Sequence, residues 1–323
     1  MVKEKKMKVL AIGALAMDVS IRVDELPKED GFSLILEEVI VPGGSGANFS
    51  VALQALGSKV YQTGKIGSDS FGERFRESIV QADIDDRYLI TKPNGTTLHT
   101  YVFVAGNGSH SILFNLGDSV NELTTEELPT DVLDGIDVFY TDMFSPIASI
   151  QLARRAKEKG IKVVYNMQCS HSTMASFGTT GDMIDELISY TDLLICGKTT
   201  YSELFNEGSH AENIAIFYRE KYNTHNLHDG IIFTMGEKGS IWFDGSQIYY
   251  QPKYDVATVD TTGAGDCYNA GVVYEYYQQG KEKEAALKFG SAIAAMKCTQ
   301  PGPRVQCTPE EVEQFMHSIR MEG

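Results

Sequence analysis

At 323 residues, 42% hydrophobic and 22% charged, the chain has the composition of a globular protein and the length to bury a large core. Lys+Arg 28 against Asp+Glu 44 leave a net charge of −16, a field that repels a phosphate backbone and an anionic bilayer alike, so neither nucleic acid nor a membrane is an expected partner. Five cysteines form no CxxC pair and have no adjacent histidines to complete a zinc pattern, so they read as free thiols of a reducing compartment.

Lys5, Lys6 and Lys8 before VLAIGALAM resemble a secretion signal, but Asp18 follows at once and a buried first strand explains the same run. The strand is preferred, and with it the cytoplasm; no window approaches the ~18 apolar residues of a membrane span. Further β-rich apolar runs follow at 59 to 67, 137 to 144, 162 to 167, 192 to 197 and 230 to 235. Between them lie the helical patterns SGANFSVALQALG, FGERFRESIVQAD, PIASIQLARRAKEKG, DMIDELISYTD and AENIAIFYREKY. Strands alternating with helices predict an α/β fold with a doubly wound, mainly parallel sheet, helices on both faces, and ligands at the carboxyl ends of the strands.

Two segments break the rhythm. Residues 18 to 41 and 96 to 116 alternate polar and apolar side chains, the second around a Gly-Asn-Gly turn, and predict a small β-sheet outside the main one. It would serve as a lid, a dimerisation surface, or both. With no linker, internal repeat or like-charge block, residues 1 to 323 read as one domain.

Three glycine-rich stretches invite functional readings. GKT at 197 to 199 fails as a nucleotide-binding P-loop because Asp192 stands where the first glycine belongs. GGSGANF at 43 to 49 puts Phe49 where a dinucleotide fingerprint needs its third glycine, which weakens a nicotinamide-dependent reading. In DTTGAGDCYNAG, 260 to 271, Asp266 falls in the first turn of a helix. It either caps that helix or stands beside an anion site, since small residues at 263 to 265 let backbone amides face a phosphate.

Taken in order, GALAMDV, PGGSGANFSVALQALG, GKIGSDSFGERF, FTMGEKGSIWF, DTTGAGDCYNAG and SAIAAMKCTQPG resemble the ribokinase-like carbohydrate kinases, the PfkB family, over essentially the whole chain. The resemblance implies a doubly wound sheet with a β-lid and an ATP- and Mg2+-dependent transfer of phosphate to the primary hydroxyl of a sugar. Asp266 resembles the general base, with the amides of Gly263, Ala264 and Gly265 as the anion hole. Asp18, Gly43, Gly44 and Asn48 resemble the sugar-binding positions, and Thr234 and Gly236 the nucleotide site. Asp260 and Thr262 resemble positions that hold K+ in some members. Each also has an ordinary structural explanation: a loop aspartate for Asp18, a helix start for Asn48, a turn for Gly236, a cap for Asp260.

Departures narrow the expectation. Where many members carry Asn-x-x-Glu, this chain reads Lys198-Thr199-Thr200-Tyr201, with Glu203 two residues on, so the Lys198 ammonium is expected to contact ATP phosphate directly. Where some sugar-acid kinases and fructokinases carry Asp-x-Asn-x-Arg, it reads Tyr165-Asn166-Met167-Gln168-Cys169, without the arginine. Phe144 precedes Ser145-Pro146 where ribokinases place a glutamate, which keeps a nucleoside kinase as the alternative, since an aromatic ring stacks on a nucleobase. A sugar or nucleotide sensor with impaired catalysis is the third reading, and a homodimer through the lid the expected assembly.

Overall fold

Strand β1 (Lys8–Ile12) divides the core, because its consecutive apolar residues face opposite sides of one sheet. Val9 and Ala11 pack on one side with Phe49, Val272 and Ile293, while Leu10 and Ile12 pack on the other with Phe139, Leu152 and Leu187. The structure, a computed structural model, describes residues 6–106, 110–204, 213–217 and 227–319. Parallel to β1 lie β4 (Lys59–Gly67) on one flank and β8 (Val138–Thr141) on the other. Beyond β4 comes β5 (Asp85–Lys92), and beyond β8 come β9 (Lys162–Met167), β10 (Leu193–Cys196) and β11 (Gly230–Thr234), all parallel. An antiparallel pair, β12 (Ser240–Phe243) and β13 (Ile248–Gln251), forms the far edge. The chain leaves β1 toward one edge and returns past it toward the other, so the crevice between β1 and β8 is the topological switch point.

The expected strand runs all appear, whereas β5 and β13 had no counterpart in the sequence reading. Both are edge strands: charged DDRYLITK and largely exposed IYYQ need not be buried on two faces, so the apolar run that betrays a central strand is absent. The first run, expected to form a strand over 8 to 15, ends earlier, at Ile12. Asp18 therefore sits within strand β2 (Ala16–Val23), not in a loop after β1. Of the helix expected at 211 to 222, residues 213–217 are helical and the rest lie outside the described residues, as do Asn107 and Gly108 of the Gly-Asn-Gly turn.

The small sheet is present as β3 (Ile35–Gly43), β2, β6 (His99–Ala105) and β7 (His110–Asn115), in that order. Val19, Ile21, Val23 and Ala105 pack inward with Ile40 and Phe71, while Leu36 and Val39 of β3 and Ile112, Leu113 and Phe114 of β7 remain exposed. All five cysteines are free thiols, and no helix among the described residues is long and apolar enough to cross a membrane.

Candidate active site

Before helix α7 (Ala264–Val273) come, among the described residues, α1 (Ser45–Ala55), α2 (Ser70–Gln81), α3 (Pro146–Glu158), α4 (His171–Ser176), α5 (Gly181–Tyr190), α6 (Lys198–Leu204) and the helical residues 213–217. Helix α7 begins at Gly263, whose φ of 74° lies in the left-handed region; a Cβ there would stand 1.9 Å from the Pro303 carbonyl oxygen, so only glycine fits. Cys267, Ala270, Val272 and Val273 bury the helix against its surroundings, and the Tyr268 hydroxyl donates to Ser240 Oγ at 2.9 Å. No side chain caps the first turn. Gly263, Ala264, Gly265 and Asp266 line a cavity of about 470 Å³, with Lys198, Thr234 and Gly236 also in its wall.

In this geometry Asp266 makes no cap bond to its own helix. Its carboxylate, 6% exposed, accepts from Asn48 Nδ2 at 2.9 Å instead of from the amides of its own helix. Burial pushes its carboxyl from the ordinary 3.8 up to about 7, with Asp142 and Asp18 adding to the rise and the Asn48 bond and Arg304 opposing it. An aspartate in this state is a stronger base than a solvated one and is substantially ionised at neutral pH.

Asn48, on α1, joins Asp266 to a second cluster. Its Oδ1 accepts from Arg304 Nε at 3.1 Å, and Arg304 also donates to the Gly43 carbonyl (3.4 Å) and to Ser78 Oγ (3.3 Å). Burial lowers the Arg304 pKa to about 10 against the pull of Asp18, Cys267 and Asp266, which still leaves a cation at neutral pH. Asp18 Oδ1 accepts from Thr100 Oγ1 at 2.6 Å, and burial raises its carboxyl. Gly43 lies so close that a Cβ would stand 2.0 Å from Asp18 Oδ2, and Gly44 is the residue from which α1 starts. Asp18, Gly43 and Asn48 are thus brought together around Arg304, adjoining Asp266 but outside the cavity lining.

At the switch point, Asp142 is fully buried just past β8 and accepts from the Ala14 amide (3.0 Å), the Phe144 amide (3.2 Å) and the Ser45 hydroxyl. Neither Asp142 nor Arg304 emerged from the sequence reading. Asp142 had a signal, a carboxylate in the interior of the apolar run DVFYTDMF, which can be buried only if fully hydrogen-bonded. Arg304 had none, being one cation in a Gly/Pro loop.

On the cavity side, Lys198 starts α6 and its side chain lies along Gly236, where a Cβ would be 3.4 Å from Lys198 Cδ. Thr234 ends β11 and donates to the Cys196 carbonyl at 3.4 Å. Glu203 does not line the cavity; its Oε2 accepts from the His171 amide at 2.8 Å. Asp260 and Thr262 likewise stand outside the lining: Asp260 accepts from the Thr262 amide (2.8 Å) and the Gly302 amide (2.9 Å), and these bonds with nearby Lys297 hold its carboxyl below the usual range despite burial.

An uncapped helix start beside a basic, buried carboxylate, at the strand ends of a doubly wound sheet, is suited to moving a phosphoryl group. Comparison with known proteins gives that chemistry a family. Residues 6–311 match the pfkB family carbohydrate kinases, and the chain belongs to that family of phosphotransferases. It is 27% identical over 286 residues to the ribokinase of Haemophilus influenzae, covering 86% of this chain and 88% of the relative. It is 27% identical over 312 residues to an ATP-dependent ribose-1-phosphate kinase of Halopiger xanaduensis, covering 96% and 98%. The crystal structure of a nucleoside kinase from Methanocaldococcus jannaschii, an archaeal member of the ribokinase family, has the same fold at TM-score 0.79 and 21% identity, covering 97% of this chain and 99% of that one.

Proposed function

We propose that this kinase transfers the γ-phosphate of ATP to the primary hydroxyl of a sugar or sugar-like small molecule, with Asp266 as proton acceptor. The observation that carries the reading is the Asp266 carboxylate held by Asn48, away from its own helix amides, at the rim of a cavity lined by Gly263, Ala264 and Gly265. In the transfer, the acceptor O–H gives its proton to Asp266 as its oxygen bonds to the γ-phosphorus. The bond from that phosphorus to the β–γ bridging oxygen breaks, and ADP leaves with the electron pair. The amides of 263 to 265 and the helix dipole stabilise charge on the equatorial oxygens. A Cβ at Gly265 would meet nothing within 4 Å among the described residues, so packing does not demand glycine there, whereas close approach of a phosphate does.

Lys198 serves as a direct phosphate contact, Thr234 and Gly236 border the nucleotide, and Asp18, Gly43, Gly44 and Asn48 border the acceptor. Magnesium fits as an ion carried in on the nucleotide: no group of three His, Cys, Asp or Glu among the described residues makes a dedicated cage. Asn166 and Asn269 line the cavity, Asn269 Oδ1 being buried without a hydrogen-bond partner, and such neutral oxygens suit a largely hydrated Mg2+. When bound, that ion neutralises phosphate charge.

A nucleoside is the second acceptor class. Phe144 lies 5.9 Å from Phe177, which lies 6.0 Å from Phe114 of β7, a row of rings leading toward the small sheet on which a base can stack. We further propose that the small sheet closes over the acceptor to exclude water, that its exposed β3 and β7 residues dock a second copy of the chain, and that the free thiols belong to a cytoplasmic protein. A panel of pentoses, hexoses, sugar phosphates and nucleosides with ATP and magnesium, read as ADP release, tests the function. Turnover confined to one class identifies the acceptor; binding without transfer across the panel means a sensor and overturns the catalytic reading.

A further inference from the structure

A buried ammonium group ties down the turn from which α7 starts. Lys297, in the last turn of helix α8 (Lys283–Cys298), is 0% exposed. Its Nζ donates to the Asp260 carbonyl at 2.7 Å and to the Gln300 carbonyl at 3.4 Å, and stands 3.7 Å from Asp260 Oδ2. The Asp260 carboxylate in turn accepts from the Thr262 and Gly302 amides. One ammonium and one carboxylate therefore staple residues 260 to 262 to residues 297 to 302. Pro303, whose carbonyl dictates glycine at 263, and Arg304, which holds Asn48, come directly after that staple.

Taking a lysine fully out of water is unfavourable unless its lost hydration is replaced. The C-terminal end of α8 and the surrounding oxygens supply that replacement. Those oxygens, two main-chain carbonyls and a carboxylate, are the donors that a hard monovalent cation takes, and an ammonium group is close to potassium in size. Asp260 and Thr262, expected to hold K+, do not fit it: a potassium ion on Asp260 would stand against an ammonium already bonded to the same residue.

We infer that Lys297 is a tethered stand-in for a monovalent cation, so that this kinase works without one. It is a positioning residue that acts through Asp260 on the Gly263–Gly265 turn. Its effect on turnover rests on reading that turn as the phosphate site, whereas the ion replacement does not.

The test compares wild type and Lys297→Ala in tetramethylammonium buffer with added KCl, NH4Cl or LiCl at matched ionic strength, by thermal unfolding and by turnover on the acceptor the panel identifies. Wild type should show the same unfolding temperature and turnover in all three salts. Lys297→Ala should lose about tenfold or more in turnover, and KCl or NH4Cl, but not LiCl, should raise its unfolding temperature and restore part of the rate. A merely structural lysine would give a variant that responds to the three salts alike, which overturns the proposal, as does potassium-specific stabilisation of wild type. Should Lys297→Ala fail to fold, Lys297→Gln and the wild-type arm decide. Ion-specific stabilisation of the variant without any phosphoryl transfer would keep the ion replacement and reject the kinase reading of the turn.

Discussion

The two walls that meet at Asp266 follow opposite plans. On the cavity side stand main-chain amides of an uncapped helix start, a glycine whose missing side chain packing does not require, and a lysine at the mouth of a strand. On the other side Asn48, Arg304, Gly43, Asp18 and Thr100 are bonded to one another or in contact. A small-residue turn at a helix start suits a ligand surface, and cross-braced groups suit a base of fixed position and acidity. Substitutions at Gly265 and Lys198 on the first wall should separate activity from stability, and substitutions on the second should damage both.

The largest effect belongs to the shared residue. Asp266→Asn should lower turnover by about 10³-fold without lowering thermal stability. The folded carboxyl titrates at about 7 and the unfolded one at the ordinary 3.8, so between these values the folded state holds the extra proton and stability falls as pH rises. Above neutrality wild type carries the full cost of that buried charge, so the asparagine variant should melt at a temperature equal to or higher than wild type at pH above 7, and the pH slope from this group should vanish. Unfolding temperatures measured across that window, beside an ADP-release assay, check both halves.

Next in size, Arg304→Met should reduce stability by about 1–3 kcal/mol, because the Gly43 carbonyl and Asn48 Oδ1 lose their buried donor. Activity should fall with it, and the ionisation of Asp266 should move further up once the opposing positive charge is gone. Denaturant unfolding and a pH–rate profile read these together; an unchanged profile would mean that the braced wall does not set the base.

A glycine pair sharpens the contrast. Gly265→Ala should cost about tenfold in turnover and leave the unfolding temperature unchanged, whereas Gly263→Ala should lower that temperature, since its Cβ would collide with the Pro303 carbonyl at a φ of 74°. The smallest effect is expected of Lys198→Ala, a several-fold rise in the Michaelis constant for ATP with stability unaltered. Unchanged constants would remove Lys198 from the phosphate site.

What was legible in the sequence follows the same division. Central strands such as KVLAI and KVVYNM announce themselves because both faces are buried, and the small sheet by alternation, while edge strands β5 and β13 carry neither mark. On the cavity side DTTGAGD drew notice because small residues let main-chain amides face an anion, and the family resemblance, not the spacing alone, favoured that reading over a cap. The braced wall was largely hidden: Arg304 finds Asn48 across 256 residues, and Lys297 finds Asp260 across 37, distances over which no local pattern speaks. Only Asp142 left a trace, as a carboxylate inside an apolar strand run.

The pH dependence of kcat/KM for the identified acceptor tests the central claim most directly. If Asp266 accepts the proton, the rate rises with pH through a single ionisation near 7 and levels off above it, and Arg304→Met shifts that limb upward. A profile flat across neutrality, or a limb that Arg304→Met leaves in place, would contradict a buried aspartate as the base.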